Sequence, residues 1–153
     1  MNEQDERAQR DRYRELLEEL RTIIPGAQVL FAFLLTAPFA ARFGGIDALG
    51  KMVFLVSLLS VAAATVLFLA PAAYHRLAAH HDRAGRLRFG VRTTLAGLFL
   101  LALSIGCAIF VVIRFLFDTP IPALLIAVAM GLLVTLLWYV IPVWGRKRKV
   151  GSE

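Results

Sequence analysis

Long apolar stretches alternate with short polar ones along this chain. The apolar stretches run about 26–43, 52–74, 93–117 and 121–144. Each approaches the roughly 20 apolar residues that a helix needs to cross a hydrocarbon layer of about 30 Å. The pattern therefore predicts an all-α, polytopic membrane protein with four transmembrane helices. The first and third connections, GGIDALGK and DTP, are short, whereas the second, HRLAAHHDRAGRLRFGVR, is longer, polar and basic. That spacing predicts two helical hairpins. Pro25, Pro71, Pro120, Pro122 and Pro142 fall near span ends, where a missing N–H costs little, and only Pro38 lies inside a span, where it predicts a kink.

Upstream of the first span, residues 1–24 read differently. Tyr13, Leu16, Leu17, Leu20 and Ile24 recur at helical spacing, while Arg12, Glu15, Glu18, Glu19 and Arg21 fill the positions between. This predicts an amphipathic cytoplasmic helix that rests on the membrane surface or docks a protein partner. Pro25 and Gly26 then mark the turn from that helix into the first span, proline suiting a first helical turn and glycine accepting unusual dihedrals. The charges alternate with no early apolar core, so the segment matches neither a cleavable signal peptide nor a transit peptide.

Composition agrees with the pattern: 59% of the residues are hydrophobic and the mean hydropathy is +0.71, too high for an ordinary soluble domain. Charge adds orientation. Of 17 lysines and arginines, only Arg42, Lys51 and Arg114 fall on the side of the short connections. The others lie in the N-terminal segment, around the central loop (Arg76, Arg83, Arg86, Arg88, Arg92) and in the basic tail at 145–153 (Arg146, Lys147, Arg148, Lys149). The positive-inside rule then puts both termini and the central loop in the cytoplasm. It also makes the loop and tail arginines and lysines candidate contacts for anionic lipid headgroups. Because these flanks account for the pI of about 10.2, nucleic acid is not the expected partner.

Polar residues inside the spans are few. Gln28, Ala32, Thr36 and Ala40 recur at four-residue intervals on the first span, Ser60 and Ala64 on the second, Ser104 and Ala108 on the third, and Ala123, Ala127, Gly131 and Thr135 on the fourth. Small residues at this spacing let helix backbones approach closely. Gln28, Thr36, Ser60, Ser104 and Thr135 are accordingly candidates for a polar interior or for helix packing. No aspartate, glutamate or lysine lies within a span interior, so the titratable or anionic ligand that ion-coupled transport usually needs is missing. Arg114 is expected to snorkel outward and pair locally with Asp118.

Catalytic chemistry finds no foothold. A single cysteine, Cys107, allows no disulfide framework. His75, His80, His81 and Asp82 crowd the central loop, but their spacing matches no standard zinc signature. No nucleotide loop, nucleophile with a base, or paired catalytic carboxylates can be found, so neither enzymatic activity nor a cofactor is expected.

The stretch ELRTIIPGAQVLFAFLLTAPFAARF, followed by APAAYHRL at the close of the second span, resembles a family of small four-helix integral-membrane proteins of actinobacteria, a domain of unknown function. The order of elements matches over nearly the whole chain. The resemblance implies that fold and a bacterial plasma-membrane location, and some members of the family carry a sodium/proton antiporter label. Residue pattern and resemblance together lead to a small integral membrane protein with a structural, regulatory or partner-binding role, contacting a protein through the N-terminal helix or the basic loop, or a second copy of itself. The alternative is a small oligomeric transporter or channel, including a cation/proton antiporter-like activity, with the five polar residues lining its route.

Overall fold

In a computed structural model, residues 3–77, 83–117 and 120–136 are described, and they form four α-helices: α1 (Glu3–Thr36), α2 (Ala48–Leu77), α3 (Arg83–Phe117) and α4 (Pro120–Thr135). Among the described residues there is no strand. Three segments, Arg14–Phe39, Ala48–Tyr74 and Arg88–Phe117, are long and apolar enough to cross a membrane. The fourth expected span, 121–144, is α-helical as far as Thr135, and its residues 137–144, Trp138, Tyr139, Pro142 and Trp144 among them, lie outside the described residues.

Large apolar side chains cover the outside of the helices. Phe33 is 70% exposed, Phe39 89%, Leu116 67% and Ile121 70%. No more than 33% of any apolar window is buried. Such a surface would drive aggregation in water and is at home in hydrocarbon.

The first helix departs from expectation in two places. It does not turn at Pro25 but continues through it, so the amphipathic segment and the first span are one 34-residue helix, about 51 Å long at 1.5 Å per residue. Leu20, Ala27 and Leu34, buried at seven-residue intervals, form one stripe across the proline. Pro25 itself is exposed. The ring thus lies on the exposed side of α1, where the carbonyl it deprives of a donor, that of Arg21, costs least, while the buried stripe continues past it. Pro38, expected as a kink, instead ends the helix: α1 stops at Thr36 and a single 3-10 turn, Ala37–Phe39, follows. Pro38 has no N–H to give the Leu34 carbonyl, so the α-helical bonding cannot continue through it unbroken.

The buried faces of α2 and α3 share one period. On α2 the buried positions include Gly50, Phe54, Ser57, Val61, Ala64, Phe68 and Pro71; on α3 they include Gly90, Thr94, Gly97, Leu101, Ser104 and Val111. Steps of four and three alternate along α2, and along α3 as well apart from the final seven-residue step. This is the repeat that keeps one face of a helix against a neighbour in left-handed packing. Several of these residues are glycine, alanine or serine, as membrane helices require for close approach.

The chain divides into two compact units, and α2 and α3 each contribute to both. In the unit formed by Met1–Ala40 and Leu58–Leu101, the Phe68 ring lies against Gly97, and the rings of Tyr74 and Phe89 stack with centroids 4.9 Å apart. In the unit formed by Ala41–Ser57 and Ala102–Glu153, Ser57 meets Ser104 and Asp47 meets Arg114. Within each unit, residue numbers rise along α2 as they fall along α3, so the two segments run antiparallel.

Candidate functional site

The second unit carries the most specific polar geometry. Asp47 stands just before α2, and its Oδ1 accepts the N–H of Gly50 at 2.9 Å while its own carbonyl accepts the N–H of Lys51 at 2.9 Å. This is an N-cap: the carboxylate satisfies an amide that the first helical turn leaves without an intrahelical partner. Arg114, near the end of α3, reaches the same carboxylate with two donors. Its Nε donates to Oδ1 at 3.2 Å and its Nη2 to Oδ2 at 2.7 Å. The planar guanidinium fork is suited to this two-point contact. Arg114 is thus paired with Asp47, 67 residues away; the expected local pairing with Asp118 falls on a residue outside the described ones.

Around the pair lies an open recess of about 160 Å³, lined by Gly45, Ile46, Asp47, Gly50, Val111, Arg114 and Phe115. One glycine fits tightly there. A Cβ on Gly50 would stand 2.5 Å from Ile46 Cγ2 and 2.9 Å from Asp47 Oδ1, so a larger residue would force both side chains to shift. Behind the recess, the Phe43 ring meets the largely buried Phe54 ring edge-on at 5.0 Å, fixing the connection to α2.

The Arg114 guanidinium, and after it the Gly50 N–H, hold the Asp47 carboxyl below its usual value. A depressed carboxylate contributes stability at pH above its unfolded-state value and loses it as pH falls through the folded one. The clasp is therefore expected to hold throughout the neutral range and to open only below the ordinary aspartate range. Amide exchange at Gly50, followed by NMR in detergent on lowering the pH, checks this; acceleration already near pH 6 would contradict it.

A second polar cluster is buried. Ser57 Oγ donates to the Ser104 carbonyl and Ser104 Oγ to the Ser57 carbonyl, both at 2.8 Å, with the two hydroxyls 3.1 Å apart and both residues 0% exposed. Each serine clasps the backbone of the facing helix. Threonines satisfy themselves within their own helices: Thr65 donates to the Val61 carbonyl, Thr93 to those of Phe89 and Gly90, and Thr36 to those of Ala32 and Phe33. Among the described residues, the buried side-chain polar atom with no partner is the Thr94 hydroxyl.

The sequence-derived candidates scatter. Gln28 and Thr36 are exposed, as are Ala32 and Ala40 of the same ridge. Ser60 is buried, and Ser104 forms the clasp with Ser57. The side chain of Thr135 lies outside the described residues. Arg88 and Arg92 are exposed; the side chains of Arg76, Arg83 and Arg86, and all of Arg146, Lys147, Arg148 and Lys149, lie outside the described residues. So do His80, His81, Asp82 and the side chain of His75, and among the described residues no group of three or more His, Cys, Asp or Glu stands close enough to hold a metal.

Asp47, Gly50, Ser57 and Gly97 are the structurally engaged residues that spacing alone did not single out. Asp47 carried a signal, because an aspartate directly before an apolar helical run is an N-cap signature. Ser57 carried one too, since a 3.5-residue period through Val61 and Ala64 passes through it.

Residues 1–142 match a family of unknown function, DUF6328, and the chain belongs to that family. No curated protein and no solved structure matches it.

Proposed function

We propose that this chain is a non-enzymatic membrane protein whose role is structural, regulatory or partner-binding. One observation carries the reading: the polar groups of the spans are largely engaged in bonds within or between helices, with the Ser57 and Ser104 clasp at the centre. A transport route needs polar groups that face a passage and are available to a solute. Here Gln28 and Thr36 face outward and Thr36 is bonded to its own helix. The charged residues at 3–21 belong to the same continuous helix, α1, as the first span, which favours a projecting helix as the partner surface over one lying in the membrane plane.

The orientation we propose has both termini and the loop between α2 and α3 in the cytoplasm of a bacterial plasma membrane, with the helices arranged as four spans. Its support is the excess of lysine and arginine on that side. In a Cys107→Ser background, Ser152→Cys and Ala84→Cys are expected to resist an impermeant thiol reagent in intact cells, and Ala48→Cys to react. Labelling at position 152 from outside would overturn the orientation.

The second reading, a small oligomeric transporter or channel, is favoured by Thr94, whose buried hydroxyl has no partner. Purified protein in liposomes carrying a pH-sensitive dye, given sodium and potassium gradients, discriminates the two. No flux, with a partner recovered by crosslinking through residues 3–21, supports the first. Sodium-dependent proton flux that scales with protein and is lost in Thr94→Val would establish the second instead.

A further inference from the structure

We propose that the outward face of α1 pairs with the same face of a second copy of this chain, α1 against α1 in parallel, with Gln28 in the contact. The inference rests on the membrane arrangement proposed above, in which α1 crosses the bilayer.

Periodicity marks the face. Arg14, Glu18, Arg21, Pro25, Gln28 and Ala32 follow one another in alternating steps of four and three, and all six are exposed. This is the repeat that the buried faces of α2 and α3 use to hold one side against a neighbour, here left uncovered. The buried stripe of Leu20, Ala27 and Leu34 lies on another side of the same helix.

Gln28 indicates what covers it. The residue stands seven positions beyond Arg21, the last charge before the span, about 10 Å along the axis and inside the apolar segment Arg14–Phe39. Among the described residues no hydrogen bond reaches its amide. An amide turned toward hydrocarbon is costly, and glutamine in a membrane helix is relieved by bonding to another helix. A primary amide holds a donor and an acceptor together, so two glutamines facing each other across a two-fold axis satisfy both. Copies of one chain insert with one orientation, so their α1 helices run parallel and Gln28 meets Gln28. Pro25 and Ala32, compact residues one step to either side, let the backbones come close enough for the amides to touch.

Charge on the projecting part of α1 is complementary to itself as well. Arg14, Glu18 and Arg21 alternate in sign along the stripe. In the parallel pair, Glu18 of one copy lies one step along the seam from both Arg14 and Arg21 of the other, and long side chains span such a step. Like charges that face each other there are in water, where salt screens them. A different membrane protein would need a polar group at the depth of Gln28 and matching charges beyond it; a second copy brings both by symmetry.

The test is energy transfer between donor- and acceptor-labelled protein, each dye on Ser152→Cys in a Cys107→Ser background, in phosphatidylcholine vesicles at a range of protein-to-lipid ratios. Transfer is expected to rise saturably with protein, and Gln28→Leu to need about tenfold more protein for half-saturation. Because Gln28 is exposed, that variant is expected to keep the wild-type thermal midpoint at high dilution. Geometry is read in native membranes with a permeant oxidant, again without Cys107. Ala32→Cys is expected to give a disulfide-linked species of twice the chain mass, and Phe33→Cys, equally exposed to lipid but about 100° round the helix, about tenfold less of it. No saturable transfer, transfer indifferent to Gln28→Leu, equal linkage at positions 32 and 33, or linkage of Ala32→Cys to a different protein would each overturn the proposal. Retention in membranes after carbonate washing tests the membrane arrangement separately, and proton flux in liposomes tests the functional reading whether or not the pair forms.

Discussion

Gly97→Ala is expected to destabilise the protein by about 1–3 kcal/mol and to lower its thermal midpoint in detergent. A Cβ on Gly97 would lie 2.6 Å from Cε1, 2.8 Å from Cδ1 and 3.2 Å from Cζ of Phe68. Phe68 is 1% exposed, so its ring has no open side to swing toward. Relief must come from parting α2 and α3 locally, which loses dispersion contacts on both sides of the seam. Helix propensity acts in the opposite direction, since alanine is favoured over glycine by about 1 kcal/mol in a helix interior. Gly106→Ala separates the two effects. A Cβ there meets nothing within 4 Å, so that variant is expected to melt at or above the wild-type midpoint. Adding Phe68→Leu to Gly97→Ala is expected to recover part of the loss. A Gly97→Ala protein as stable as Gly106→Ala would mean that the seam does not close at this point.

Ser57→Leu is expected to cost at least as much. The Ser57 side chain is fully buried and its hydroxyl stands 2.8 Å from a backbone oxygen of the opposite helix. Leucine would place extra carbons where the facing backbone already is, an overpacking penalty of about 1–3 kcal/mol, and would also delete the hydroxyl bond. Ser57→Ala removes the bond alone. Bonds between membrane helices average about 0.6 kcal/mol and reach about 1.7, so the alanine variant is expected to lose far less than the leucine one. A double-mutant cycle with Ser104→Ala reads the coupling of the two serines directly. Additive losses in that cycle would show two independent bonds, and a Ser57→Leu midpoint equal to that of Ser57→Ala would argue against close approach.

Helix content and the presence of apolar runs long enough to cross a membrane were legible because they depend on local chemistry. Apolar runs of sufficient length mark their own limits, and the polar stretch after the second run ends it without reference to any other part of the chain. The prolines were harder to read. Pro25 was expected to turn the chain and Pro38 to bend it; the first lies inside a continuous helix and the second ends one. The same missing N–H operates in both, and the difference lies in context. A buried stripe continues past Pro25, whereas Phe39, Ala40, Ala41 and Arg42, which follow Pro38, are all exposed.

The ladder on the first span leaves the buried face for a geometric reason. Positions four apart rotate by about 40° at each step, so a ladder such as Gln28, Ala32, Thr36 and Ala40 drifts off any single face within a few turns. Alternating steps of four and three drift by only about 20° per seven residues. That period picks out Gly50, Phe54, Ser57, Val61, Ala64, Phe68 and Pro71, the face that is buried.

The amino-acid order thus settled a helical chain with membrane-length apolar runs and with lysines and arginines gathered near its ends and around residues 76–92, because hydrophobicity, length and charge are properties of each segment alone. The partners within those helices were decided by three-dimensional packing. Ser57 with Ser104, Phe68 with Gly97 and Asp47 with Arg114 each join residues 29 to 67 positions apart. No local preference encodes such a pair. It exists because antiparallel segments packed at one register bring a small or charged residue on one helix opposite its complement on the other, and a register is a property of two helices together.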